Sequence, residues 1–378
     1  MDSYFVYNGI KYIIKYDNNE VNFFKEKDNI IVELNEEDKK IINSIFKNKN
    51  GYEYYSERIN TIIQNNDKII EKDYLLNYFN WIEKIIPQDC RDNFYRNLSS
   101  LQIDLNFDYI YSEDRENLSN EDYINSGTYS VKNNTILMSK KSIFELMNIS
   151  KKNPNPEDFF WREYSLEVLH EMLHMSSSKY DSDTGIALCG FDTYPSDDIR
   201  KSNRGLTEGM TDCLAMIGVP DTVDIASEYY FEVCFITQLS NIIDGQVLLK
   251  SYFGNLGIKE IENELFKFDD SKFKSFKLFR DIENNFLLRK IKNESTNLVG
   301  NIQNSLIDCL EKKITLLESN GLSNEIDKIL MAYEMGLVTP ERLKLMNKNP
   351  DDYVGVTDSI ERFNEIKNRY LVKESMIK

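Results

Sequence analysis

Residues 155–176, NPEDFFWREYSLEVLHEMLHMS, govern how the centre of this 378-residue chain is built. Asn155 stands at a cap position, and Pro156 suits the first helical position because its missing N–H would have no helical partner. Glu157 and Asp158 place acid against the positive end of the helix dipole. The spacing predicts a helix from Pro156 to about Ser176, roughly 30 Å long at 1.5 Å per residue. Leu166, Leu169 and Leu173 mark one apolar stripe, and Val168, Met172 and Met175 a second. A helix apolar on most sides belongs in the interior of a domain.

Upstream, GTYSV and TILMS, separated by Lys132-Asn133-Asn134, read as a hairpin, and LQIDLNFDYIY from Leu101 is strand-like. At the N-terminus the runs SYFVY, GIKYIIKY, EVNFF and NIIVEL are punctuated by Asn8-Gly9, Asp17-Asn18-Asn19 and Lys27-Asp28. These residues tolerate the positive φ of tight turns, so a small antiparallel meander is expected. From Glu36 to about Ile86 the period is helical, with Ile41, Ile42, Ile45 and Phe46 and later Leu75, Leu76, Phe79, Trp81 and Ile82, and Pro87 ends the run.

Downstream, Ser176 to Arg204 is a polar stretch read as a long loop with room for a short strand. A short helix from about Leu206 to Ile217 follows and stops at Gly218-Val219-Pro220. Beyond Thr222 the pattern is helical, including SEYYFEVCFITQLSNII and a long segment from Lys272 to about Glu318. The expected fold class is α+β and helix-rich. Three regions are expected: 1–100, strands then helices; 101–245, the core; and 246–378, a helical C-terminal region.

Lys and Arg number 46 against 63 Asp and Glu, a formal net charge of −17, which excludes a broad nucleic-acid face because neutralising phosphates requires a basic surface. At 41% hydrophobic, the chain has ample material for cores without covalent staples. The five cysteines, Cys90, Cys189, Cys213, Cys234 and Cys309, are scattered and form no C-x-x-C pair, so neither a disulfide framework nor a cysteine zinc knuckle is expected. No signal peptide or membrane span is legible, and the expectation is a soluble cytoplasmic protein, with export by a route lacking a cleavable signal left open.

Both histidines of the chain fall in one pentapeptide of the central helix, His170-Glu171-Met172-Leu173-His174. Two histidines placed at random would fall four apart in only about 0.5% of arrangements, and Glu in the second slot is rarer still. Residues four apart share a helix face, so two imidazoles can converge on one metal with Glu171 beside the open coordination position. A catalytic zinc needs a third protein ligand. The pattern H-E-x-x-H-x-x-G-x-x-H/D is disfavoured, because Ser177 and Tyr180 stand where its glycine and third ligand would be. The loop leads instead to Arg204-Gly205-Leu206-Thr207-Glu208-Gly209-Met210-Thr211-Asp212, in which Glu208 and Asp212 are one helical turn apart. Glu208 can serve as third ligand, and Asp212 can accept the N–H of a ligating histidine. An acidic first turn that merely favours a helix start is the competing explanation of this pair.

With these residues the chain resembles the gluzincin zinc metallopeptidases, which share H-E-x-x-H on one helix and E-x-x-x-D on a following one. The resemblance covers about residues 127 to 217. It implies a thermolysin-like catalytic core with a small antiparallel sheet, one Zn2+ per chain on His170, His174 and Glu208, Glu171 as general base and Asp212 orienting a histidine. It also implies that the strand just upstream, Thr135, Ile136, Leu137 and Met138, is the edge along which a peptide or protein substrate pairs. Many relatives have Asn before the ligand Glu, where this chain has Thr207. With both histidines assigned to metal, the oxyanion donor must be Tyr, Arg, Lys or a backbone amide. The candidates are Tyr194, Arg204, Tyr229 and Tyr230. The activity expected is therefore zinc-dependent endopeptidase, against two rivals: an inactive zinc-containing binding or regulatory protein, and a zinc hydrolase of a non-peptide amide. Substrate, cleavage preference and oligomeric state are not legible.

Overall fold

Alternating apolar and polar residues at the N-terminus form four strands in the computed structural model, β1 (Ser3–Tyr7), β2 (Ile10–Asp17), β3 (Glu20–Lys27) and β4 (Ile30–Glu33). They pair antiparallel in sequential order, with Tyr4 opposite Ile13 and Ile14 opposite Phe23, as the turn residues predict. The described residues are 3–7, 10–17, 20–27, 30–40, 72–107, 127–139, 148, 151–152, 155–194, 202–219, 229–268, 272–292 and 297–377. The helical expectation for 41–71 lies outside them. The chain divides into two units, Met1–Asp181 and Ser182–Lys378.

In the first unit, α1 (Lys72–Ile85) buries Leu75, Leu76, Phe79 and Ile82, and it stops just before Pro87 as expected. The next helix, α2 (Arg91–Ser100), is an addition to the sequence reading, with only Phe94, Tyr95 and Leu98 as its apolar face. Three apolar residues in ten give too weak a period to stand out. Strands β5 (Gln102–Phe107), β6 (Gly127–Ser130) and β7 (Thr135–Ser139) form a sheet ordered β5-β7-β6. The β6–β7 hairpin is the one predicted, and Asn134 takes the left-handed conformation (φ 49°) that closes its turn.

One expectation is overturned here. β7 is the middle strand of this sheet, parallel to β5 on one side and antiparallel to β6 on the other. Thr135, Ile136 and Leu137 therefore have strand partners on both sides, Met138 faces Gly127 of β6 where the β5 register is interrupted, and these residues are not an edge. Among the described residues the edges are β5 and β6.

The helix α3 (Pro156–Ser176) has the predicted bounds, with Asn155 at the cap position, although the Asn155 side chain makes no hydrogen bond to the first turn. Val168, Leu169, Met172, Leu173 and Met175 are buried and Leu166 is half-buried, so both predicted stripes face packing partners, the first less completely at its start. Its C-terminal end is tied down by polar side chains. Asn97 Nδ2 donates to the Met175 carbonyl at 2.7 Å and the Ser178 carbonyl at 2.8 Å. Asn134 Nδ2 donates to the Asn97 carbonyl at 2.6 Å, and the Tyr129 hydroxyl to Asn134 Oδ1 at 2.7 Å. This chain of amides joins the hairpin, α2 and the last turn of α3, where helix carbonyls lack intrahelical donors.

The second unit begins with a tight hairpin, β9 (Ala187–Cys189) and β10 (Asp192–Tyr194), preceded in the first unit by the short strand β8 (Ser178–Tyr180). Helices follow: α4 (Arg204–Gly218), α5 (Tyr230–Ile242), α6 (Gly245–Phe253), α7 (Lys259–Phe266), α8 (Lys272–Lys292), α9 (Leu298–Ser319), α10 (Ser323–Met335), α11 (Pro340–Leu345) and α12 (Val356–Ile377). The single segment expected from Lys272 to Glu318 is two helices, α8 and α9. The core is built from Phe231, Phe235, Leu239, Ile302, Leu306, Leu310, Tyr333 and Phe363 on α5, α9, α10 and α12. The whole is α+β and helix-rich with small sheets.

Candidate metal centre

The two imidazoles of α3 share one face, and their Nε2 atoms lie 3.0 Å apart with the rings edge to face. Two ligands each at about 2.05 Å from one tetrahedral ion would stand about 3.3 Å apart, so the pair has close to the spacing that a shared cation requires. Glu208 completes the group: one donor atom from each of His170, His174 and Glu208 lies within 4.8 Å of the other two, and all three residues are buried. Burying a carboxylate beside two imidazoles is costly unless a cation or hydrogen bonds compensate it. Two imidazoles and a carboxylate suit a divalent first-row ion, so the residues present fit a metal and could hold one.

Glu171 follows the first histidine and is buried. Its space depends on Gly127, the first residue of β6. A Cβ at that position would stand 3.1 Å from Glu171 Cγ and 3.3 Å from its Oε1, tighter than the usual side-chain contact. The carboxylate thus rests against a stretch of strand whose side chain is missing. Glycine at the start of an otherwise regular strand is the signal that could have revealed this, since in strands it marks close approach.

Helix α4 is held on several sides. At Gly209 a Cβ would meet the Glu232 carbonyl carbon at 2.6 Å, so α4 and α5 approach backbone to backbone next to Glu208. Glu232 is fully buried and is paired with Arg289, whose guanidinium lies 4.8 Å from the centre of the Phe231 ring. Thr207, at the departure from the usual pattern, has its own task. Its Oγ1 accepts the Phe191 N–H at 3.0 Å and donates to the Cys189 carbonyl at 3.4 Å, pinning the β9–β10 turn to α4. Asp212 lies one turn beyond Glu208 and is buried.

Asp192, in the stretch read from sequence as a polar loop, is half-buried and takes two backbone donors. Its Oδ1 accepts the N–H of Thr193 at 2.9 Å and of Asn203 at 3.0 Å. Burial pushes its pKa up to about 7, and Glu283 and Glu208 add to the rise, while the two N–H donors oppose it.

The four candidate oxyanion donors are placed differently. Arg204 Nε stands 3.9 Å from Glu208 Oε1, with its side chain 38% exposed. Tyr194 pairs through its backbone with Ala187 at the end of the hairpin away from the turn. Tyr229 stacks on Phe286, ring centres 6.2 Å apart. Tyr230 is buried in the second unit, where Cys234 and Arg342 act on its hydroxyl and burial pushes its pKa well up. That is the environment of a packing tyrosine.

Among the described residues no helix is long and apolar enough to cross a membrane. Comparison with known proteins finds no family model, no curated protein and no solved structure that matches this chain.

Proposed function

We propose that the protein is a zinc-dependent endopeptidase on the gluzincin, thermolysin-like plan, with one zinc per chain on His170, His174 and Glu208 and a peptide or protein as substrate. The observation that carries this reading is the buried His-His-Glu group with a buried carboxylate, Glu171, adjoining the first ligand in the helix. When bound, the ion supplies acidification of a water molecule and polarisation of a carbonyl. Glu171 takes the proton of the attacking water and returns it to the leaving amine. Gly127 keeps the space that this carboxylate occupies. Asp212 accepts the N–H of a ligand imidazole and so selects its tautomer. Arg204 is the preferred oxyanion donor, because its guanidinium is near Glu208 and partly open to solvent. The extended substrate pairs along β6 rather than β7, since β6 has a side not engaged in the sheet among the described residues and begins at the residue that contacts Glu171.

Purified protein is expected to contain about one zinc per chain and to cleave peptides from an unbiased library, with cleavage lost on chelation and restored by zinc. Protein that takes up no divalent ion sinks the proposal. Protein that binds zinc tightly yet cleaves nothing in the library supports the binding-protein alternative.

A further inference from the structure

Glu208 sits in the second turn of α4, so its direction depends on how the start of that helix is held. The first N–H groups of a helix have no intrahelical acceptor, and the cap residue here, Asn203, offers no side-chain bond to them. The acceptor comes from elsewhere in the second unit. The Gly205 N–H donates to Glu283 Oε2 at 2.9 Å, and the Ser202 hydroxyl donates to Glu283 Oε1 at 3.1 Å. Glu283 lies on α8, 78 residues further along the chain, and is only 3% exposed.

The grip is double. Three residues on, Phe286 lies where a Gly205 side chain would begin, its Cβ 2.7 Å from that position. Helix α8 therefore touches the same residue of α4 by a hydrogen bond from its backbone N–H and by close packing. Burial raises the Glu283 pKa, and the Gly205 N–H, the Ser202 hydroxyl and the Arg204 charge oppose that rise; Arg204 also lies 3.9 Å from Glu208. A carboxylate buried this deeply is costly, and its two donors match both of its oxygens.

We propose that Glu283 is a positioning residue that clamps the first turn of α4 and thereby aims Glu208 at the metal group. The inference rests on the metal reading of His170, His174 and Glu208. A cap that only stabilised the fold would predict something different, namely that metal affinity follows global stability whatever residue is changed.

The test compares wild type with Glu283→Ala, Glu283→Gln and a packing control, Leu310→Ala on α9. Zinc affinity is measured by competition with a chromophoric chelator, and exchange of the Gly205 amide is followed in metal-free protein. Glu283→Ala is expected to weaken zinc binding by about 10- to 100-fold and to speed Gly205 exchange. Glu283→Gln, whose amide oxygen can still accept the Gly205 N–H, should stay near wild type in both. Leu310→Ala should lower the melting temperature and leave zinc affinity unchanged. If Glu283→Ala does not fold, Glu283→Asp, too short by one methylene to reach Gly205, takes its place and should lose affinity in the same direction. Wild-type affinity in the folded Ala or Asp variant overturns the clamp while leaving the metal reading intact, and so does an equal loss in Leu310→Ala. Absence of zinc binding in wild type overturns both.

Discussion

Helix α3 carries its two imidazoles in its last two turns and is fastened at its C-terminal end, whereas α4 carries Glu208 near its start and is fastened at its N-terminal end. The fasteners differ in kind. At the end of α3 the Met175 carbonyl takes a donor from a neutral amide, Asn97, which also holds the Ser178 carbonyl just beyond the helix. At the start of α4 the first N–H groups require an acceptor, and a side-chain oxygen of Glu283 supplies it to Gly205. In each case the helix end nearer the candidate metal donors is held by a side chain from another element.

The comparison can be broken first on the α3 side. Glu171→Gln keeps size and removes the proton acceptor, so turnover should fall roughly 10²- to 10⁴-fold while zinc content is unchanged by elemental analysis. Unchanged kcat would remove Glu171 from the chemistry. A smaller but more specific effect is expected from Gly127→Val, which crowds the Glu171 side chain without touching a metal donor. Displacement of the carboxylate should cost on the order of 10²-fold in kcat with zinc affinity preserved. Equal activity would show that the strand yields.

The smallest effect belongs to the α4 side and is read as stability. The folded-state pKa of Asp192 is raised to about 7 from 3.8, so the folded protein holds a proton that the unfolded chain gives up between those values. Stability contributed by this group is present below about pH 4 and is lost as pH rises towards 7. Asp192→Asn keeps an oxygen for the Asn203 and Thr193 N–H groups and cannot ionise. Metal-free Asp192→Asn should match wild type near pH 4 and exceed it by about 1–3 kcal/mol at pH 8, measured by denaturant unfolding. A difference that does not change with pH would show that Asp192 does not titrate in this window.

The same contrast explains what could be read in advance. Helix α3 carries its own punctuation, with Pro156 at the first position, acids in the first turn and two apolar stripes, and its ends are found where predicted. The H-E-x-x-H spacing follows from helix geometry alone, so the juxtaposition of His170 and His174 was legible. Glu208 was reachable because no third histidine exists and an acid one turn from another acid stood at a helix start. Asn97 and Glu283 were not, because each acts on an element far away in sequence and nothing in NFYRNLSS or RDIENNF announces it. The central place of β7 was hidden for a related reason: its parallel partner β5 begins more than thirty residues earlier, and alternation within TILMS says nothing about how many neighbours a strand has. Asp192 lies in a stretch that reads only as a polar loop, since composition cannot tell an outward carboxylate from one that organises the backbone around it.

The brevity of β6 has a consequence for solubility. An open strand border is a template for any extended chain, including another copy of the same protein, and long flat borders invite aggregation. Among the described residues this border is four residues, Gly127–Ser130, about 13 Å of strand. That is enough to register one visiting peptide and too little to seed a growing intermolecular sheet. The same shortness that would make β6 a handhold for substrate also keeps it from becoming a seam between molecules.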